Sequence, residues 1–272
     1  MSRTRPFETI DEFLAFWIDG TGNSLLSAAQ RATITNYYGN YQGRFTPYLR
    51  RHYRSQIAEA EHLIEQMRSP KVLEVGCGLG TESLWFGLRG ARVVGIDINT
   101  ERLRVANARR DWVKSELDPL LDVEFHETSI LDVTGTFDLV WMEQAFHHLE
   151  PRDEVMRKLA ALLRPGGYFV ASEANAFNPL LQLKLFLERG FRTIGEQIDA
   201  NGRVHRYGNE RILSPVALRR ACRRVHIRPM EHRYFRCLPA KSWAQRLAWV
   251  ESLFPQWLPF PFTHYNFVGI KS

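Results

Sequence analysis

Cysteine is scarce in this chain of 272 residues. Cys77, Cys222 and Cys237 lie far apart, without metal-ligand spacing and without the density of a disulfide-stapled fold. A reduced, cytoplasmic setting is the simplest reading. Long apolar runs are missing too: none approaches the roughly 20 residues that a membrane span needs. The stretch from Met1 to Glu8 has no apolar core of the kind a secretion signal carries. No internal repeat or low-complexity tract stands out. Acidic residues are outnumbered, 30 against 36 Lys and Arg, for a net charge of +6.

That surplus is uneven. Arg219, Arg220, Arg223, Arg224, Arg228, Arg233 and Arg236 crowd together, with His226 and His232 among them. Such a cluster suits nucleic acid, an anionic lipid surface or an acidic substrate, or it is a solvated helix face. The solvated face is the favoured reading. Hydrophobic content of 44% and charged content of 24% are ordinary for a globular protein. The length allows one large α/β domain with extras, or two small domains.

What is present is organised around Val72-Leu73-Glu74-Val75-Gly76-Cys77-Gly78-Leu79-Gly80-Thr81. An apolar run ends beside an acid, glycines fall at alternate positions, and a helical pattern follows. This reads as strand, tight turn and helix, with backbone N–H groups free to approach a ligand. Upstream, residues 8–18 form an amphipathic helix and Pro47 to about Met67 a second one, separated by a segment rich in Tyr and Gly. Downstream, strands are expected at 92–97, 122–129, 137–142 and 168–172, with helices at 81–89, 100–116 and 152–163. Arg164-Pro165-Gly166-Gly167 reads as a sharp turn. The alternation implies a mostly parallel, doubly wound sheet. After Glu173 it breaks. Residues 174–213 hold an amphipathic stretch and a polar loop, Asp199 to Arg203, too long for an idle connection. A helix from Ser214 to Arg224, a strand at 226–236, an aromatic and proline-rich segment at 237–262 and a last strand at 263–271 complete the chain.

Asp97 ends the second strand, where its carboxylate can accept hydrogen bonds from a ribose; capping of the following helix is the alternative. The glycine pattern is G-x-G-x-G and not the G-x-G-x-x-G of dinucleotide sites, and Glu74 beside it would repel a pyrophosphate but welcome an ammonium group. A ligand with a ribose and an amino-acid end fits better.

Glu74-Val75-Gly76-Cys77-Gly78-Leu79-Gly80, Asp97, Phe137-Asp138-Leu139-Val140 and Leu163-Arg164-Pro165-Gly166-Gly167 together resemble the ordered motifs of class I S-adenosylmethionine-dependent methyltransferases. The resemblance covers roughly residues 70–175. It implies an α/β Rossmann-like sheet of seven strands with the last antiparallel, for which 263–271 is the candidate. Residues 1–69 would then be an N-terminal helical cap, and 70–272 the methyltransferase domain, with lid insertions at about 174–213 and 237–262. The cofactor would be S-adenosylmethionine, with S-adenosylhomocysteine as product. By the same resemblance Gly76, Cys77 and Gly78 line its methionine end, Glu74 holds the ammonium, and Thr81 meets the carboxylate. Asp97 binds the ribose, Ile98 lies against the adenine, and Met142 completes the cofactor set. Where the family often has an Asp after the third strand, this chain has Ser129 followed by Ile130; Asp132 is the other adenine partner considered.

Methyl transfer needs mainly a positioned nucleophile and excluded water, with a base only where the acceptor must lose a proton. In the segment Met142 to Leu149, His147 is the candidate base, with structural packing or backbone hydrogen bonding as its alternative. Tyr37, Tyr38, Glu143, His148 and Glu173 are candidate acceptor contacts, Tyr37 and Tyr38 as a flap over the cofactor. His147 and His148 alone are too few to argue a metal site, and none is expected. Trp17, Phe177, Phe186, Trp243 and Trp257 suit an apolar or ring-containing small acceptor, or a core; Trp243 and Trp249 suit core or subunit packing, which would make a homodimer. The leading expectation is methylation of a small molecule, O-methylation before N- or C-methylation. RNA or an anionic lipid as acceptor, and a non-catalytic scaffold, are the alternatives.

Overall fold

A computed structural model describes residues 7–39, 41–198 and 204–272. The polar stretch Asp199 to Arg203 lies outside the described residues. The chain divides into two compact units, one reaching to Ser129 and including Leu238–Val250, the other made of Ile130–Cys237 and Glu251–Ser272.

In the first unit, α1 (Ile10–Ile18) starts from a capping box in which Glu12 accepts the Thr9 backbone N–H. It buries Phe13, Leu14 and Trp17 against α3 (Pro47–Gln66) and α4 (Thr81–Leu88). α3 starts with Pro47 at a position that needs no N–H, and Thr46 caps it. Between them the Tyr-rich segment forms a further helix, α2 (Ala28–Tyr37), where an irregular flap was expected. Ser27 and Gln30 close its N-terminus reciprocally, Gln30 N to Ser27 Oγ at 3.3 Å and Ser27 N to Gln30 Oε1 at 2.9 Å. Strands β1 (Lys71–Val75), β2 (Arg92–Asp97) and β3 (Val123–Glu127) are parallel, with α4 and α5 (Thr100–Glu116) between them. Their apolar runs are buried, as a covered parallel sheet requires.

The second unit holds β4 (Phe137–Glu143), α6 (Arg152–Leu162), β5 (Leu163–Ala174), α7 (Pro179–Arg189), the hairpin β6 (Ile194–Ile198) and β7 (Val204–Gly208), α8 (Pro215–Arg224), β8 (Ile227–Phe235) and β9 (His264–Lys271). β4 and β5 are parallel, whereas β9 runs antiparallel to both β5 and β8. The seven strands follow the order β3-β2-β1 in the first unit and β4-β5-β9-β8 in the second. The expected Arg164 to Gly167 turn is absorbed into the start of β5, with Gly166 at φ 75°. The hairpin in the insertion was not expected from sequence. Within the aromatic and proline-rich segment, Ser242–Leu253 form a 3-10 helix that carries Trp243 and Trp249. α8 turns Leu218 and Cys222 inward and leaves Arg220, Arg223 and Arg224 in solvent, so these arginines cover a solvated face.

Candidate active site

The turn after β1 is closed upon itself. Gly76 and Cys77 donate their N–H groups to Ile96 O at 2.8 and 2.9 Å, and Gly80 donates to Cys77 O at 2.8 Å. Gly78 N–H reaches Asp97 Oδ2 at 2.9 Å, while Asp97 Oδ1 accepts from Asn99 N at 2.8 Å. A phosphate nest would present these N–H groups outward. The turn is therefore built against a pyrophosphate, and the expectation of free N–H groups gives way to internal bonding. Each Asp97 oxygen keeps a second lone pair for a hydroxyl donor.

Two glycines here are obligatory. Gly80 sits at φ 72° with the Phe125 ring and Ala106 where a Cβ would go, and Gly78 sits at φ 52° beneath the Tyr37 hydroxyl. Glu74 is buried and accepts a short hydrogen bond from Ser83. Burial, followed by the charges of Glu74 and Asp97, pushes the Cys77 thiol well above its usual range, so it stays neutral. Ile98, beside Asp97, is 74% exposed, an apolar face open to a flat ring. An acid able to take hydroxyls, a buried acid behind the turn and this open apolar face suit a ribosyl amino-acid cofactor.

Thr81 lies deeper than expected. Its Oγ1 is 2.7 Å from the Tyr38 hydroxyl and accepts from Arg109 Nη1 at 2.9 Å, so the side chain serves the interior of the unit. Tyr38 is accordingly buried and anchored, where sequence suggested a flap; Tyr37 stays half open, with the Arg102 guanidinium 5.1 Å from its ring centre. Arg109 gave no sequence signal. It is fully buried, donates to Leu79 O at 2.7 Å, and lies 4.8 Å from the Trp17 ring centre and 5.7 Å from that of Phe13. Burial lowers its pKa, and the Tyr38, Tyr53 and Glu82 groups oppose that. Glu82, also buried, is held by the Tyr53 hydroxyl at 2.5 Å. Trp17 is core, and Trp243 is exposed at 50%. Ser129 is half-buried at the end of the first unit.

In the second unit, Ile130 is buried in a short 3-10 helix, Asp132 is exposed on that helix, and Met142 is buried within β4. Glu143 ends β4 half-buried, followed by Gln144 at φ 46°. His147 and Glu173 meet: Nδ1 is 2.6 Å from Oε2. Glu173 Oε1 accepts the N–H groups of Ala145 and Phe146 at 3.1 and 2.8 Å. The carboxylate fixes the imidazole with its proton on Nδ1 and leaves Nε2 as the acceptor. Burial pulls the His147 pKa down, but Glu173, by charge and hydrogen bond, and Glu210 outweigh it and leave the value raised. His148 donates Nδ1–H to Gly208 O at 3.0 Å, which ties it to the hairpin. Glu210, absent from the sequence reading, stands 3.7 Å from Nε2 of each histidine. Phe177 is half-buried near Phe260, Phe186 is exposed against Phe191, and Trp257 is exposed. Among the described residues, no helix is long and apolar enough to cross a membrane.

Residues 73–171 match the model of the family described as a methyltransferase domain. The chain is 33% identical over 149 residues to methyltransferase GfsG of Streptomyces halstedii, covering 51% of this chain and 52% of that protein. It is 31% identical over 109 residues to the ubiquinone biosynthesis O-methyltransferase of Chromobacterium violaceum, covering 39% of this chain and 44% of that protein. The chain thus spans about half or less of the length of these curated relatives. The crystal structure of magnesium protoporphyrin IX methyltransferase from Synechocystis PCC 6803 with bound S-adenosylhomocysteine superposes with a TM-score of 0.56 at 13% identity, over 96% of this chain and 99% of that one, a likeness of fold. The glycine turn with Asp97 and the antiparallel last strand agree with these matches: residues 73–171 are similar to the methyltransferase domain family, on a fold like that of the Synechocystis enzyme.

Proposed function

We propose that the chain methylates an oxygen of a small molecule, with S-adenosylmethionine as donor and His147 as general base. The observation that carries this reading is the His147–Glu173 pair, buried and 2.6 Å apart. An imidazole oriented by a carboxylate through Nδ1, with Nε2 as its acceptor nitrogen, suits removal of a hydroxyl proton. The cofactor, when bound, supplies a sulfonium methyl group open to attack. Asp97 would take its ribose hydroxyls, Ile98 its adenine face, and Glu74 its ammonium, directly or through water. Gly76, Cys77 and Gly78 would line its methionine end. His147 Nε2 would receive the acceptor's proton, and Glu173 would stabilise the resulting imidazolium. Tyr37, Glu143 and His148 would contact the acceptor. O-methylation is supported further by the name of the Chromobacterium relative, although only over the matched stretch.

The test is incubation with methyl-labelled S-adenosylmethionine and a panel of phenols, enols and alcohols, read by mass spectrometry. Label on an acceptor oxygen supports the reading. Label only in RNA or lipid would transfer it to the alternatives, and failure to bind S-adenosylhomocysteine in a calorimetric titration would end it.

A further inference from the structure

We infer that His147, His148 and Glu210 form a binding site for a borderline divalent cation of the Zn²⁺ type. Their donor atoms all lie within 4.8 Å of one another. The arrangement is more specific than proximity. Each imidazole has its Nδ1 hydrogen-bonded, His147 to the Glu173 carboxylate at 2.6 Å and His148 to the Gly208 carbonyl at 3.0 Å. A carboxylate or carbonyl behind Nδ1 fixes the tautomer, turns Nε2 outward and raises its basicity, which is the outer support that metal-bound histidines carry. Both Nε2 atoms face the same carboxylate, 3.7 Å from Glu210 Oε2 and Oε1 respectively. Glu210 is held there by a left-handed backbone, φ 50°, a conformation that a residue with a side chain seldom adopts.

Metal–ligand bonds of about 2.0–2.1 Å set donor atoms roughly 3.3 Å apart in a tetrahedron, so modest contraction suffices. Two imidazoles and one carboxylate suit Zn²⁺, Co²⁺ or Ni²⁺ better than Mg²⁺ or Ca²⁺, which prefer all-oxygen sites. A fourth position would remain for water. The ion would clasp the hairpin, through Gly208 and Glu210, to the 146–148 turn. It would also take the His147 lone pair. On the reading of His147 as base, which this consequence requires, the loaded protein would be inhibited and a chelator would restore it. Binding itself does not depend on that reading.

The experiment uses the full chain, free of affinity tag and stripped by a chelator, titrated with Zn²⁺ by calorimetry and with Co²⁺ by its visible absorption. One ion per chain is expected, with a tetrahedral Co²⁺ spectrum and slower amide exchange in β7. His148→Ala and Glu210→Gln should each weaken binding by about tenfold or more. If His148→Ala unfolds, judged by thermal melting, the Glu210→Gln variant, at a half-buried position, decides alone. No stoichiometric binding, or binding unchanged in Glu210→Gln, would overturn the site. Cofactor titration of the ion-free protein is read separately, so loss of the ion site with cofactor binding intact leaves the proposed function standing.

Discussion

His147 hydrogen-bonds through Nδ1 to Glu173 Oε2 at 2.6 Å, while the other Glu173 oxygen takes the two N–H groups that start the turn carrying His147. One carboxylate therefore fixes both the ring and the backbone beneath it. If His147 is the base, it acts only when Nε2 is unprotonated. Its pKa is raised, because Glu173 and Glu210 outweigh burial. In chelator-treated protein, kcat/KM should fall as pH drops through a value above the ordinary imidazole range. Glu173→Gln removes the charge, so that limb should move to lower pH while kcat drops by about 10²-fold. A pH–rate profile of both proteins checks this; a limb that stays in place would remove Glu173 from the role.

His147→Ala should likewise cut turnover by about 10²-fold and leave cofactor affinity near normal. Steady-state kinetics alongside S-adenosylhomocysteine titration separates the two effects. Unchanged turnover at every pH would remove His147 from the chemistry.

Asp97→Ala should weaken cofactor binding by about 1–3 kcal/mol, the cost of losing charged hydrogen bonds. The same change releases Gly78 N–H, which Asp97 Oδ2 holds at 2.9 Å. Calorimetry should therefore show part of the loss restored in Asp97→Asn, which keeps one acceptor oxygen.

Gly80→Ala should destabilise the fold by about 2 kcal/mol or more. The left-handed conformation at φ 72° costs about 1–2 kcal/mol for a residue with a Cβ, and the added methyl meets the Phe125 ring. Urea unfolding measures it. Stability within error of the parent would mean that neither the left-handed backbone nor the Phe125 ring constrains position 80.

Arg109→Ala should cost on the order of 3 kcal/mol, because it strips a buried partner from Leu79 O and Thr81 Oγ1 and opens a hole under Trp17. The shift in thermal unfolding midpoint reports it.

The parallel sheet was readable because covered strands have to be apolar throughout, as Val72-Leu73 and Leu139-Val140-Trp141 are. Asp97 was readable because the strand that carries it ends beside the glycine turn. The capping pair Ser27 and Gln30 was also in the sequence, but the neighbouring tyrosines and glycines masked the helix it starts. Arg109 was not legible. α5 reads as polar, and groups distant in the chain, the Phe13 and Trp17 rings with Leu79 O, Thr81 and Glu82 among them, make a buried guanidinium tolerable. The depth of Thr81 was not legible for the same reason, since its partners Tyr38 and Arg109 lie far away in the chain. Glu210 carries no local signal either: it follows a hairpin whose pairing with the histidine turn is a tertiary matter, seen in the Leu149–Tyr207 bridge.

Arg109, kept dry by rings from α1, also bears on protein engineering. On the proposed function, grafting the N-terminal helices of a relative onto this chain would be an obvious route to a new acceptor. It would also expose a guanidinium that supports the carbonyl of Leu79, within the glycine turn. The junction of a working chimera therefore cannot be drawn at the end of α3 alone; position 109 has to travel with the graft.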